Sequence, residues 1–230
     1  MTQKSDKPFI YNLYDQPVSG PEIEARSFAA IDAEAVHDHL SAPQWQVVRR
    51  LIHTTADFSM TELTRFSDDA FDACAAALKA GAKIYVDSNM IRSGISVPRL
   101  QQVNPTYRRE DIFCHVADED VAAEAQQTGL PRSLFAVRKA RDILPGGIVL
   151  IGNAPVALLE INRLALEENI RPALVIGMPV GFIHVLESKE ELQRTGLPYV
   201  VLQGRRGGSP LAVACLHALC GLAGSQGSSS

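Results

Sequence analysis

The sequence lacks the signatures of several common chemistries. Its four cysteines, Cys74, Cys114, Cys215 and Cys220, form no C-x-x-C pair. Cys74 and Cys215 fall inside Ala-rich helical patterns and Cys114 inside a strand-like run. Buried free thiols are therefore expected, not disulfides or a zinc site. No H-E-x-x-H or comparable histidine spacing offers a metal site. No G-x-G-x-x-G is present, which counts against a dinucleotide-dependent enzyme. No uninterrupted apolar run is long enough to cross a bilayer. Residues 1–7 are polar and carry no apolar signal core, so a cytoplasmic protein without membrane contact is expected. There is no excess of positive charge: the formal net charge of -4 counts against nucleic acid as the main partner. A few well-placed arginines would still serve a small anionic ligand. There is no internal repeat.

What is present is enough for one large soluble domain. The 230 residues are 46% hydrophobic and 21% charged, which supplies a sizeable core. Residues 1–20 read as an irregular segment, 21–220 as a single domain, and the Gly/Ser-rich 221–230 as a flexible tail. Five short apolar runs read as buried strands: 84–86, 112–116, 148–151, 173–176 and 199–202. Helical patterns with start or stop signals cover 68–80 (Ser67 as N-cap), 119–128, 132–144, 155–168, 182–195 and 209–220. Continuous apolar strands alternating with helices predict an α/β fold, a doubly wound and mostly parallel sheet with helices on both faces. There are too few units for a TIM barrel.

An extra amphipathic helix precedes the first of these strands. Ser41 reads as its N-cap, Pro43 lies in its first turn, and Gln44 completes a capping box. Trp45, Val48 and Ile52 share one side, and His53 sits at the edge of that side in the last turn. The negative end of a helix favours the protonated imidazole, so His53 suits a proton donor near neutral pH. The same position suits a histidine that only caps the last carbonyls. In open α/β sheets ligands bind beyond the carboxyl ends of the strands. The turns to inspect are therefore Asp87-Ser88-Asn89, Gly152-Asn153-Ala154-Pro155, Gly177-Met178-Pro179 and Gly204-Arg205-Arg206-Gly207-Gly208-Ser209. The last joins glycines, a helix start and two arginines, an arrangement suited to a carboxylate or phosphate. Asn153 fits either a ligand contact or a turn brace. Arg26-Ser27 and Arg132-Ser133 each stand where a loop meets a helix. His115 and His217 read as core or surface histidines.

The ordered strings Ile23-Glu24-Ala25-Arg26-Ser27-Phe28, Ile52-His53-Thr54-Thr55-Ala56-Asp57-Phe58, Ile151-Gly152-Asn153-Ala154-Pro155, Gly177-Met178-Pro179-Val180-Gly181-Phe182, Glu187-Ser188-Lys189 and Gly204-Arg205-Arg206-Gly207-Gly208-Ser209 resemble the precorrin-8X and cobalt-precorrin-8 methylmutases of cobalamin biosynthesis. The resemblance runs from about residue 20 to 220. It implies a homodimeric isomerase with no cofactor of its own. The implied reaction is a 1,5-sigmatropic methyl shift from ring carbon 11 to 12 of a tetrapyrrole-derived macrocycle, giving hydrogenobyrinate or cobyrinate. His53 falls on the family's general acid/base. Arg26, Ser27, Thr54, Asn89, Arg132, Ser133, Asn153, Arg205, Arg206, Gly207 and Ser209 become candidate contacts to the substrate and its carboxylates. The His-Thr-Thr-Ala-Asp string is more like the cobalt-containing branch. This chain departs from the family at Pro131-Arg132-Ser133-Leu134-Phe135, at Val156, and at Ile183-His184-Val185-Leu186. A non-catalytic corrinoid carrier is the alternative.

Overall fold

The computed structural model describes residues 8–225. The chain divides after Val36 into two compact units. The first contains α1 (Tyr11–Asp15) and α2 (Gly20–Glu34). Residues 8–20 are thus not wholly irregular: the Pro8, Phe9 and Ile10 carbonyls accept the first i+3 hydrogen bonds of a short helix. Ser19 caps α2, its Oγ accepting the Glu22 N–H at 3.3 Å, with Pro21 in the first turn.

The second unit opens with α3 (Ala42–Thr55), α4 (Met60–Leu63), β1 (Thr64–Phe66), α5 (Ala70–Lys79) and β2 (Ile84–Val86). Then come α6 (Asn89–Gly94), α7 (Val97–Gln101), β3 (Ile112–Phe113), α8 (Glu119–Thr128), α9 (Arg132–Lys139) and β4 (Ile148–Ile151). It continues with α10 (Pro155–Glu168), β5 (Leu174–Gly177), α11 (Val185–Leu192), β6 (Tyr199–Leu202) and α12 (Ser209–Ser225). The sheet order is β1-β6-β5-β4-β2-β3, parallel throughout except for β1, which runs antiparallel to β6. This is the expected doubly wound α/β sheet with one added edge strand.

The strands are apolar on both faces because both are covered. Tyr85, Val149, Ile151 and Val175 join a buried cluster with Leu158 and Ile161 of α10 and Leu192 of α11. Their alternate neighbours point the other way, where α5 and α12 pack on β5 and α6 on β2. The helix α12 also packs on α3, α5, α6 and α7. Its last turns run past the expected end at residue 220, because Ala223 continues the buried side at 3% exposure. The remainder of the expected flexible tail, 226–230, lies outside the described residues.

Other boundaries shift for local reasons. Ser67 does not cap α5; its Oγ accepts the Tyr199 N–H at 2.9 Å and so prolongs the β1–β6 pairing. The expected helix over 182–195 shortens to α11, because Gly181 (φ 145°) and His184 (φ 59°) turn the chain first. The expected helix over 132–144 stops at Lys139 and is followed by a separate 3₁₀ turn, Arg141–Ile143.

The sheet order reverses between β2 and β4, so the crevice for a ligand lies beyond the C-terminal ends of these two strands. Asp87, 2% exposed, closes its floor. Its carboxylate accepts the N–H groups of Gly152, Asn153 and Ala154 at 3.1, 2.8 and 2.7 Å. Burial pushes its pKa up and these three bonds pull it back, leaving it raised. At Gly152 a Cβ would stand 2.8 Å from the Ser209 Cα, so only glycine lets the β4 turn meet the start of α12.

Candidate active site

Three helices of the second unit converge on an open cleft of about 370 Å³. From α3 come Arg50, His53 and Thr54; from α6, Met90 and Gly94. The third wall is α12, with Ser209, Pro210, Val213, Ala214 and His217. Its surface is mostly apolar, and both His53 and Met90 are exposed at it. Such a surface suits a largely apolar ligand oriented by a few polar groups.

The way α3 ends places His53. The Ser41–Gln44 capping box forms at its start, with Gln44 Oε1 accepting the Ser41 N–H at 2.9 Å. Val47, Val48, Leu51 and Ile52 are buried along one side, which holds the last turn rigidly. Thr54 and Thr55 donate their hydroxyls back to the Arg50 and Leu51 carbonyls at 2.8 and 2.9 Å. Ala56 then breaks the helix in a left-handed conformation (φ 53°), which costs a non-glycine residue about 1 kcal/mol or more. The next residue, Asp57, accepts the Ser59 N–H and Oγ–H at 3.0 and 2.7 Å and pairs with Arg206 at 3.0 Å. The Ser59 hydrogen bonds foremost, and Arg206 beside them, hold its carboxyl below the usual range.

Arg206 also donates to Ser59 Oγ, so this guanidinium ties the Gly-rich turn to the end of α3. The expected anion site at this turn is therefore already half engaged. Arg205 is exposed, with its guanidinium 5.6 Å over the Phe182 ring. Beneath both lies Lys189, only 2% exposed, whose Nζ donates to the Gly204 and Arg206 carbonyls at 2.8 and 2.7 Å. Burial lowers its pKa to about 8. Gly207 lies against the Met178 and Pro179 carbonyls, where a side chain has no room. Ser209 Oγ shares a 3.0 Å hydrogen bond with Ser88 Oγ.

The fold gathers only part of the predicted set. His53, Thr54 and Ser209 line the cleft. Asn89 lines a neighbouring recess on α6. Arg132 lines a third depression against α8, and Ser133 behind it is buried. Asn153 is exposed at the crevice, with its N–H held by Asp87. Arg26 and Ser27 belong to the first unit, where Arg26 pairs with Glu22 and Ser27 Oγ donates to the Ile23 carbonyl at 2.8 Å.

The second histidine of the cleft escaped the sequence reading. His217, expected to be a core or surface histidine, faces His53's cleft from α12. Its Nε2 accepts the Ser96 N–H at 3.0 Å. A nitrogen accepting from a backbone amide carries no proton, so the ring is neutral with its hydrogen on Nδ1. Burial, then Arg99 and Arg50, lowers its pKa to about 4. The cleft thus holds two imidazoles, and one of them is locked in the neutral form at physiological pH. No activated thiolate stands by: burial raises Cys74, Cys215 and Cys220 above the ordinary thiol range. Among the described residues no group of histidine, cysteine and carboxylate side chains is spaced to hold a metal ion. No helix among them is long and apolar enough to cross a membrane.

Comparison with known proteins gives a single answer. The family model described as precorrin-8X methylmutase matches residues 22–222. A cobalt-precorrin-8 methylmutase from Leptospira interrogans is 42% identical over 216 residues, covering 90% of this chain and 96% of that one. A precorrin-8X methylmutase from Pseudomonas aeruginosa is 39% identical over 209 residues, covering 90% and 98%. The solved precorrin-8X methylmutase of Thermus thermophilus superposes with a TM-score of 0.82 at 44% identity, covering 90% of this chain and 98% of its own. With that fold, that cleft and matches across nearly its whole length, the chain belongs to the precorrin-8X methylmutase family, isomerases of cobalamin biosynthesis.

Proposed function

We propose that this chain moves a methyl group from ring carbon 11 to carbon 12 of precorrin-8X or cobalt-precorrin-8, a 1,5-sigmatropic shift giving hydrogenobyrinate or cobyrinate, with His53 as general acid and base. The observation that carries this reading is the pair of imidazoles on an apolar cleft. The ring of His217 is neutral near pH 7, with its Nε2 taken up by the Ser96 N–H and its pKa lowered to about 4, which favours His53 as the histidine of the cleft for proton transfer. His53 donates its proton to the ring nitrogen beside the methyl-bearing carbon. The methyl then migrates with its bonding pair into the electron-poor conjugated system, and the proton returns to His53. General acid catalysis of this kind supplies about 10²–10⁴-fold; the rest comes from holding the macrocycle in one geometry.

The peripheral acetate and propionate groups meet arginine forks, with Arg205 the most accessible of the pair at the Gly-rich turn. Thr54, Asn89, Asn153, Gly207 and Ser209 line or frame the path of the ring, and Arg132 and Ser133 are proposed as outlying contacts to its carboxylates. The enzyme acts as a homodimer, a reading supported by exposed Val180, Phe182, Ile183 and Leu186 at one turn. The His-Thr-Thr-Ala-Asp string favours the cobalt-containing substrate. Mixing the protein with precorrin-8X and with cobalt-precorrin-8 separately tests the activity and the branch by spectral conversion. His53→Ala is expected to bind the coloured macrocycle but convert it at least 100-fold more slowly; unchanged turnover sinks the acid role. Full cellular function of His53→Ala would instead mark a carrier.

A further inference from the structure

Beside the cleft lies a second recess, of about 470 Å³, lined by Asn89, Arg92, Ser93 and Arg109. The short helix α6 separates the two: Met90 and Gly94 line the cleft, and Asn89, Arg92 and Ser93 line the recess. Helix α6 follows β2 directly, and Arg109 stands just before β3, the strand beside β2.

The two arginines are held half-buried. Arg92 Nε donates to the Ile112 carbonyl at 3.0 Å, and Arg109 Nη1 donates to the Arg92 carbonyl. Each anchor uses one N–H and leaves the rest of the fork unspent. Neither guanidinium has a carboxylate partner among the described residues. Of the two acids that follow Arg109, Glu110 is exposed and pairs with neither arginine among the described residues, and Asp111 is taken by Lys83 Nζ at 2.6 Å and by the Arg108 N–H at 2.8 Å. Arg163, of similar exposure, is by contrast paired with Glu160, Glu167 and Glu168. Two fixed, unneutralised forks with a serine and an asparagine between them form a recess for an oxyanion.

We propose that the Asn89–Arg92–Ser93–Arg109 recess is a carboxylate-binding site that seats one acid side chain of the macrocycle while the ring lies in the adjoining cleft. This rests on the macrocycle reading above. A bidentate grip on a peripheral acid fixes the rotation of a flat ring, which apolar walls alone leave free. The two arginines act on binding and not on the proton transfer, so they change KM and leave kcat alone.

The test uses the full chain, wild type and Arg92→Gln/Arg109→Gln, in which each glutamine keeps one N–H donor. Unfolding curves establish that the variant is folded, and Arg92→Lys/Arg109→Lys serves as a second, charge-keeping variant. Both are titrated with hydrogenobyrinate and with forms of it carrying one acid side chain as its amide. The expected result is a roughly tenfold loss of affinity in the glutamine variant, about 1.4 kcal/mol, with partial recovery in the lysine variant and unchanged kcat. One amidated form is expected to bind wild type and glutamine variant equally. Equal affinity of wild type and variant for the parent acid overturns the proposal, as does the same loss with every amide. Failure of wild type to bind or convert the macrocycle overturns the reading beneath it, and that outcome is distinct from either of these.

Discussion

Lys189→Met separates two effects that act in opposite directions on the Gly-rich turn. The methionine removes a buried ammonium and leaves the Gly204 and Arg206 carbonyls without their donor. Each orphaned carbonyl costs about 1–3 kcal/mol. Against this, the fall of the lysine from its usual 10.5 to about 8 means that the charge itself costs the fold roughly 3 kcal/mol, at about 1.4 kcal/mol per tenfold. At pH 7 the variant should therefore lie between about 1 kcal/mol more stable and about 3 kcal/mol less stable than wild type, a small net change for so buried a position. The pH dependence is the sharper signature. Below pH 8 both folded and unfolded lysine are protonated, and the fold carries the full burial penalty. Between about 8 and 10.5 the folded protein releases its proton first, the unfolded chain binds more protons, and stability rises with pH. The neutral amine still has two N–H groups for its two carbonyls, so nothing is lost in exchange. Wild type should thus gain on the variant as the pH rises from 7.5 to 10. Urea unfolding followed by Trp45 fluorescence at several pH values measures this difference, and groups common to both proteins cancel. A flat difference across that range refutes the argument.

Gly152→Ala should destabilise by about 1–3 kcal/mol in thermal unfolding, because the added carbon meets backbone and not a flexible side-chain end; an unchanged midpoint would show that the β4 turn and α12 move apart freely. Sedimentation should find a dimer, and a strictly monomeric, active enzyme would remove Phe182 and Ile183 from any interface.

The parts of this fold visible in the sequence are those set by neighbours in the chain. The helices α3, α8 and α10 begin or end where Ser41, Gly129 and Pro155 say, because caps and breakers act over four residues. The edge strand β1 was invisible: Thr64-Arg65-Phe66 is three residues long with an arginine at its centre, and only β6 makes it a strand. Sites follow the same rule. His53 announced itself through the helix that carries it. His217 did not, since its identity as a neutral acceptor depends on Ser96, 121 positions away. The pairing of Arg206 with Asp57 and the recess of Arg92 and Arg109 are likewise products of folding, and no spacing encodes them. The turn at 204–209 stood out in the sequence, but its arginines could not be told apart there: one is anchored to α3, the other lies over an aromatic ring.

The cleft takes its walls from α3, α6 and α12, which stand far apart along the chain. A ribosome adding residues in order makes position 53 long before position 217, so the nascent polypeptide carries His53 for most of its synthesis with no cleft around it. The cleft is complete only when the final helix described has emerged and packed on α3 and α6.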